Sequence, residues 1–88
     1  MARVRVFKPS TQRLSIHKST VECEFETVSE GGSRVLHLST FGSADRASER
    51  KSSQSIQLDV ERARQLIVIL TDFLADAALE NQGSRDQR

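Results

Sequence analysis

The alternation of apolar and polar residues divides this chain into a strand-like first part and a helical end. Ala2 to Lys8 alternates, with Val4 and Val6 on one side and Arg3, Arg5 and Phe7 on the other. Lys8-Pro9-Ser10-Thr11 sets proline where a type I turn takes it, which ends this strand. Arg13 to His17 alternates again, with Leu14 and Ile16 directed inward. Beyond Lys18 the phase slips by one, and Val21, Cys23, Phe25 and Thr27 become the apolar set. Strand side chains repeat every two residues, so the slip demands a bulge or a turn. One long strand bulged near Ser19 satisfies it, and so does a tight turn.

The pattern then punctuates itself. Ser29-Glu30-Gly31-Gly32-Ser33 predicts a hairpin loop whose two glycines take positive φ. Arg34 to Phe41 predicts a strand with Leu36 and Leu38 toward the core and Val35, His37, Ser39 and Phe41 on the other face. Gly42 to Ser53 is a polar loop, long enough to be functional or mobile. Ile56 and Leu58 alternate with Ser55, Gln57 and Asp59 as a short half-buried strand. Asp59 suits a helix N-cap, and Glu61 places negative charge at the positive end of the dipole.

From Val60 the period becomes helical. Val60, Ala63, Leu66, Ile67, Leu70, Phe73, Leu74, Ala77 and Ala78 share one broad face, and Val68 and Ile69 fall outside it. The middle of the helix is therefore apolar nearly all round. The spare surface predicts a second partner, most simply the same helix of another subunit, through Leu66, Val68, Ile69, Leu70 and Phe73. The alternative is a loop folded over it. Beyond Leu79 no apolar residue follows, so residues 80–88 are expected to be a disordered tail behind a single domain, 1–79.

Composition changes this picture in a few places. A chain of 88 residues buries only about 60–65% of its unfolded surface, and association would widen its thin stability margin. The net charge of +1 is uninformative, but its distribution is not. Met1 to Thr20 holds Arg3, Arg5, Lys8, Arg13 and Lys18 and no acid, while the next ten residues hold Glu22, Glu24, Glu26 and Glu30 and no base. The first three glutamates are read as a solvated sheet face. Cys23 is the only cysteine; it forms no intrachain disulfide and is expected to act as a small buried hydrophobe in a reducing compartment. No apolar leader is visible, and the run from Leu66 to Leu70 is too short to span a bilayer, so the expectation is a cytoplasmic protein with no membrane partner.

Candidate chemistry is sparse. His17, His37 and one cysteine lack zinc-ligand spacing, and the chain has no P-loop, dinucleotide fingerprint or nucleophile elbow. No catalytic residue, metal or cofactor is implied, and an enzyme is not expected. Binding is. Arg46, Arg50 and Lys51 in the serine-rich loop suit phosphates or serve as solvating charges. Phe41 either stacks a base or caps the core at the sheet edge, and His37 stands beside it as a second stacking candidate.

The order strand, strand, strand, basic loop, short strand, helix, with the junction Lys51-Ser52-Ser53-Gln54-Ser55-Ile56-Gln57-Leu58-Asp59-Val60-Glu61, resembles the positive-cofactor-four family of transcriptional coactivators. The similarity covers roughly residues 34–74. Ser55 stands where the family has glycine, and Ala63 where it has an aromatic residue. The resemblance implies an α+β fold: a curved antiparallel sheet of about four strands followed by one C-terminal helix, dimerising through that helix. It implies a homodimeric module that binds single-stranded DNA or RNA as a transcriptional or DNA-maintenance accessory factor. Phe41, Arg50 and Lys51 would take the places of the family's strand-end aromatic and loop bases. From the charge pattern, Arg3, Arg5, Arg13, Lys18 and Arg46 would join them in neutralising phosphates. The alternative from a different class is a small interaction or inhibitory subunit that holds another protein.

Overall fold

The computed structural model describes residues 1–42 and 52–84. Its elements are β1 (Ala2–Arg3), β2 (Glu22–Glu30), β3 (Ser33–Phe41), β4 (Gln54–Asp59) and α1 (Val60–Ser84). The fold is α+β, a four-stranded sheet followed by one C-terminal helix, with strand order β1-β4-β3-β2. The sheet is mixed. β2 with β3 and β3 with β4 run antiparallel, and β1 runs parallel to β4.

Local chemistry explains the centre of this sheet. Gly31 and Gly32 have φ of 54° and 83°, and Glu30 pairs directly with Ser33. That is a two-residue turn whose positive φ values match the right-handed twist of the flanking strands. At the other end of β3, Ser53 N donates to Thr40 O at 2.8 Å, and the two side-chain oxygens lie 3.0 Å apart. The loop between β3 and β4 therefore closes on a hydrogen-bonded pair; residues 43–51 within it lie outside the described residues.

The N-terminal segment departs from the alternation. Only Ala2 and Arg3 form a strand, prolonged by one bond from Val4 N to Gln57 O at 2.9 Å. Residues 4–21 contain no strand, so neither the single bulged strand nor a strand at Arg13 to His17 is present. Alternation reports which residues suit a pleated surface, and pairing further needs an edge that accepts them. Residues 5–9 instead lie along α1. Arg5 O accepts a bond from Arg62 Nη1, and half-buried Phe7 lines a groove with Pro9, Gln65, Val68 and Ile69. The type I turn expected at residues 8–11 is not formed; the chain instead bends at Gln12, whose N donates to Ser10 Oγ at 3.0 Å.

The helix begins where its cap predicts. Arg62 N donates to Asp59 Oδ1 at 2.8 Å, satisfying one of the first-turn amides that have no partner within the helix. It ends later than expected, at Ser84, so residues 80–84 are helical rather than part of a disordered tail. Glu80 and Gln82 are good helix formers, and polarity alone does not stop a helix.

What the helix covers is small. Its first two turns meet the sheet where Leu36 and Leu58 face Ala63 across a shallow apolar pocket. Leu58, 1% exposed, is the only buried hydrophobic residue among the described residues. Ile67, Phe73 and Leu74 are each more than 60% exposed. Cys23 is exposed as well, because the helix covers the opposite end of its sheet face; the expected buried role does not hold.

Among the described residues no helix is long and apolar enough to cross a membrane.

Candidate nucleic-acid interface

Strand register sorts the candidate residues by face. β2 and β3 place Glu22 opposite Phe41, Glu24 opposite Ser39, Glu26 opposite His37 and Glu30 opposite Ser33. β3 and β4 place His37 opposite Gln57 and Ser39 opposite Ser55, and β1 sets Arg3 opposite Gln57. Directly opposed residues share a face. One face of the sheet is therefore polar, running from Arg3 at the β1 edge through Gln57 and His37 to the glutamates at the β2 edge. The other carries Phe25, Leu36, Leu38, Ile56 and Leu58, and the helix packs on it.

The middle of the polar face is ordered by its own contacts. Gln57 Nε2 and His37 Nδ1 are 3.1 Å apart; with the amide nitrogen donating, the ring carries its proton on Nε2. Ser39 is buried at 8% exposure, and Phe41 is half-buried at the end of β3. Toward the hairpin turn, Arg3, Val28, Glu30, Ser33, Val35 and Gln57 line an open depression of about 300 Å³. Among the described residues, Arg3 is the cation that lines this depression.

The structure brings together three of the nine predicted nucleic-acid residues. Arg3, His37 and Phe41 lie on this face by register. Arg5, Arg13 and Lys18 are exposed on the strand-free N-terminal segment, and among the described residues no hydrogen bond or ion pair ties their side chains to the face. Arg46, Arg50 and Lys51 lie outside the described residues. Phe7, placed beside Arg3 and Arg5 by the alternation, sits in the groove against α1.

Sequence reasoning missed Gln57 as the partner of His37. The signal was available, since Gln57 and His37 both alternate away from the core leucines on neighbouring strands. The acidic row is where its spacing places it, on the opposite face from Phe25. It thus occupies the face of His37 and Phe41, which no single-strand periodicity reveals.

Of the residues predicted for a dimer contact, Val68, Ile69, Leu70 and Phe73 are exposed, and Leu66 is half-buried within its own chain. Together with Ile67 and Leu74 they form an apolar helical surface well beyond the scattered exposed hydrophobics of a monomer. Comparison with known proteins gives no match: no family model, no curated protein and no solved structure aligns with this chain at a significant level.

Proposed function

We propose that the chain is a homodimeric binding module for single-stranded nucleic acid, paired through α1 and reading its ligand on the polar sheet face. The observation that carries the reading is that face itself. An ordered His37–Gln57 pair and the strand-end Phe41 share it with Arg3 at the β1 edge. Bases stack on aromatic and imidazole rings whatever their sequence, while cations follow the backbone. The glutamates sit at the opposite edge, so the phosphates would run on the β1 side, where Arg3 lies and where Arg5 leaves the sheet. The reading also agrees with the resemblance to the positive-cofactor-four family in the order of elements and at the junction from Lys51 to Glu61. Transcription or DNA maintenance is the setting that resemblance points to.

The test is fluorescence anisotropy with a labelled mixed-sequence single strand of about 20 nucleotides, long enough for one or two binding faces. The expected result is micromolar or tighter binding, weaker for the duplex, and falling steeply as salt rises from about 50 to 200 mM. Binding indifferent to salt, or no binding by a folded dimer, would overturn it.

One observation favours a second reading. Glu26 and Glu30 lie along one edge of the same face, a surface suited to a basic segment of another protein. The substitution Glu26→Gln separates the two, as argued below.

A further inference from the structure

β2 is an outer strand, hydrogen-bonded among the described residues to β3 alone. It is nine residues long, and an outer strand of that length offers a row of backbone donors and acceptors to any extended segment. Pairing of two β2 edges is disfavoured, because an antiparallel match would set one glutamate row against the other. The edge calls for an extended, basic occupant with apolar residues at alternate positions.

The chain contains one. Arg13-Leu14-Ser15-Ile16-His17 alternates, lies in a stretch without a single acid, and forms no strand in its own chain. Leu14 is 71% and Ile16 93% exposed, and Phe25 on the apolar face of β2 is 77% exposed. We propose that this segment of a second copy adds to β2 as a fifth strand, so that two copies exchange N-terminal arms. Antiparallel addition is the more stable mode. With Leu14 opposite Phe25, it sets Ile16 opposite Cys23 on the apolar face and Arg13 opposite Glu26 on the polar one.

The segment is assigned to the partner because in its own chain it leaves the outer edge of β2 unpaired and the residues before it are held on α1. Phe7 and Pro9 lie in the groove on α1, and Arg5 O is bonded to Arg62. The arm then passes Ser10 and Gln12 with its apolar side chains uncovered. The exchange buries two of the most exposed aliphatic side chains and covers an edge otherwise open to aggregation. It rests on the homodimer, not on nucleic-acid binding.

The test uses Cys23, the one native cysteine, as a register mark. The variant Ile16→Cys, treated with a mild oxidant, is expected to form a disulfide between two chains, seen as a covalent dimer under non-reducing conditions; facing residues on antiparallel strands meet the distance a disulfide needs. Wild type and Ser15→Cys, whose new thiol lies on the other face, should cross-link several-fold more slowly. Arg13→Glu in the Ile16→Cys background should slow the reaction several-fold, and adding Glu26→Arg should restore it. A bridge within one chain would show that the arm closes its own edge and overturn the exchange. A rate no greater than that of Ser15→Cys would overturn the pairing itself. Light scattering on the unmodified protein separates the failures: a monomer refutes the homodimer and the exchange together, while a dimer without the bridge refutes the exchange alone.

Discussion

Asp59 does the work of a switch between two kinds of backbone. It ends β4 opposite Val35 and at the same time accepts the amide of Arg62 through Oδ1. Arg62 in turn reaches back to Arg5 O, so one carboxylate orders the helix start and, through it, the N-terminal segment. Asp59→Ala should cost about 1 kcal/mol of unfolding free energy, read from the urea midpoint at fixed protein concentration, with no change in the strand register. Glu26 is the corresponding residue for function. With the phosphates on the β1 side, three strand spacings or about 14 Å away, removing its charge in Glu26→Gln relieves about 0.3 kcal/mol of repulsion at most, so nucleic-acid affinity should rise less than about twofold in anisotropy. A loss of binding to a basic protein in place of that gain would favour the second reading.

At the scale of elements, the helix was the most legible part of the sequence and also the most consequential. Its cap, its start and its apolar surplus follow from Asp59, Glu61 and the spacing of Leu66, Leu70 and Phe73. The glycine pair likewise specifies the β2–β3 turn, because few residues other than glycine adopt positive φ at two successive positions without strain. The N-terminal segment was not legible. Leu14 and Ile16 alternate as strand residues do, but no edge of the same chain receives them, and a period of two carries no information about which edge should. Cys23 was misread for a related reason: an apolar position on a strand is buried only if something covers that part of the sheet, and α1 covers the end near Leu36 and Leu58. Of the site, His37 and Phe41 were legible, whereas Gln57 and the shared face of the glutamates required strand register. Phe73→Glu tests the surplus directly. Burying that carboxylate costs several kcal/mol, so dimer affinity should fall at least about a hundredfold by sedimentation equilibrium, while the exposed side chain leaves the fold of each chain's sheet unchanged.

For the whole molecule, the account turns on the proposed dimer. Among the described residues one hydrophobic side chain is fully covered and much of the helix's apolar surface is exposed, which is the motive for the proposed dimer. In the proposed dimer a second copy would cover Leu70 and Phe73 on the helix and would double the polar sheet faces available to one strand of nucleic acid, raising avidity without new contacts. The dimer is thus the premise on which the proposed function stands. Multi-angle light scattering across micromolar concentrations tests it most directly: the account predicts a folded species of twice the 9.8 kDa chain mass, and a folded, monodisperse species at the mass of one chain would contradict it.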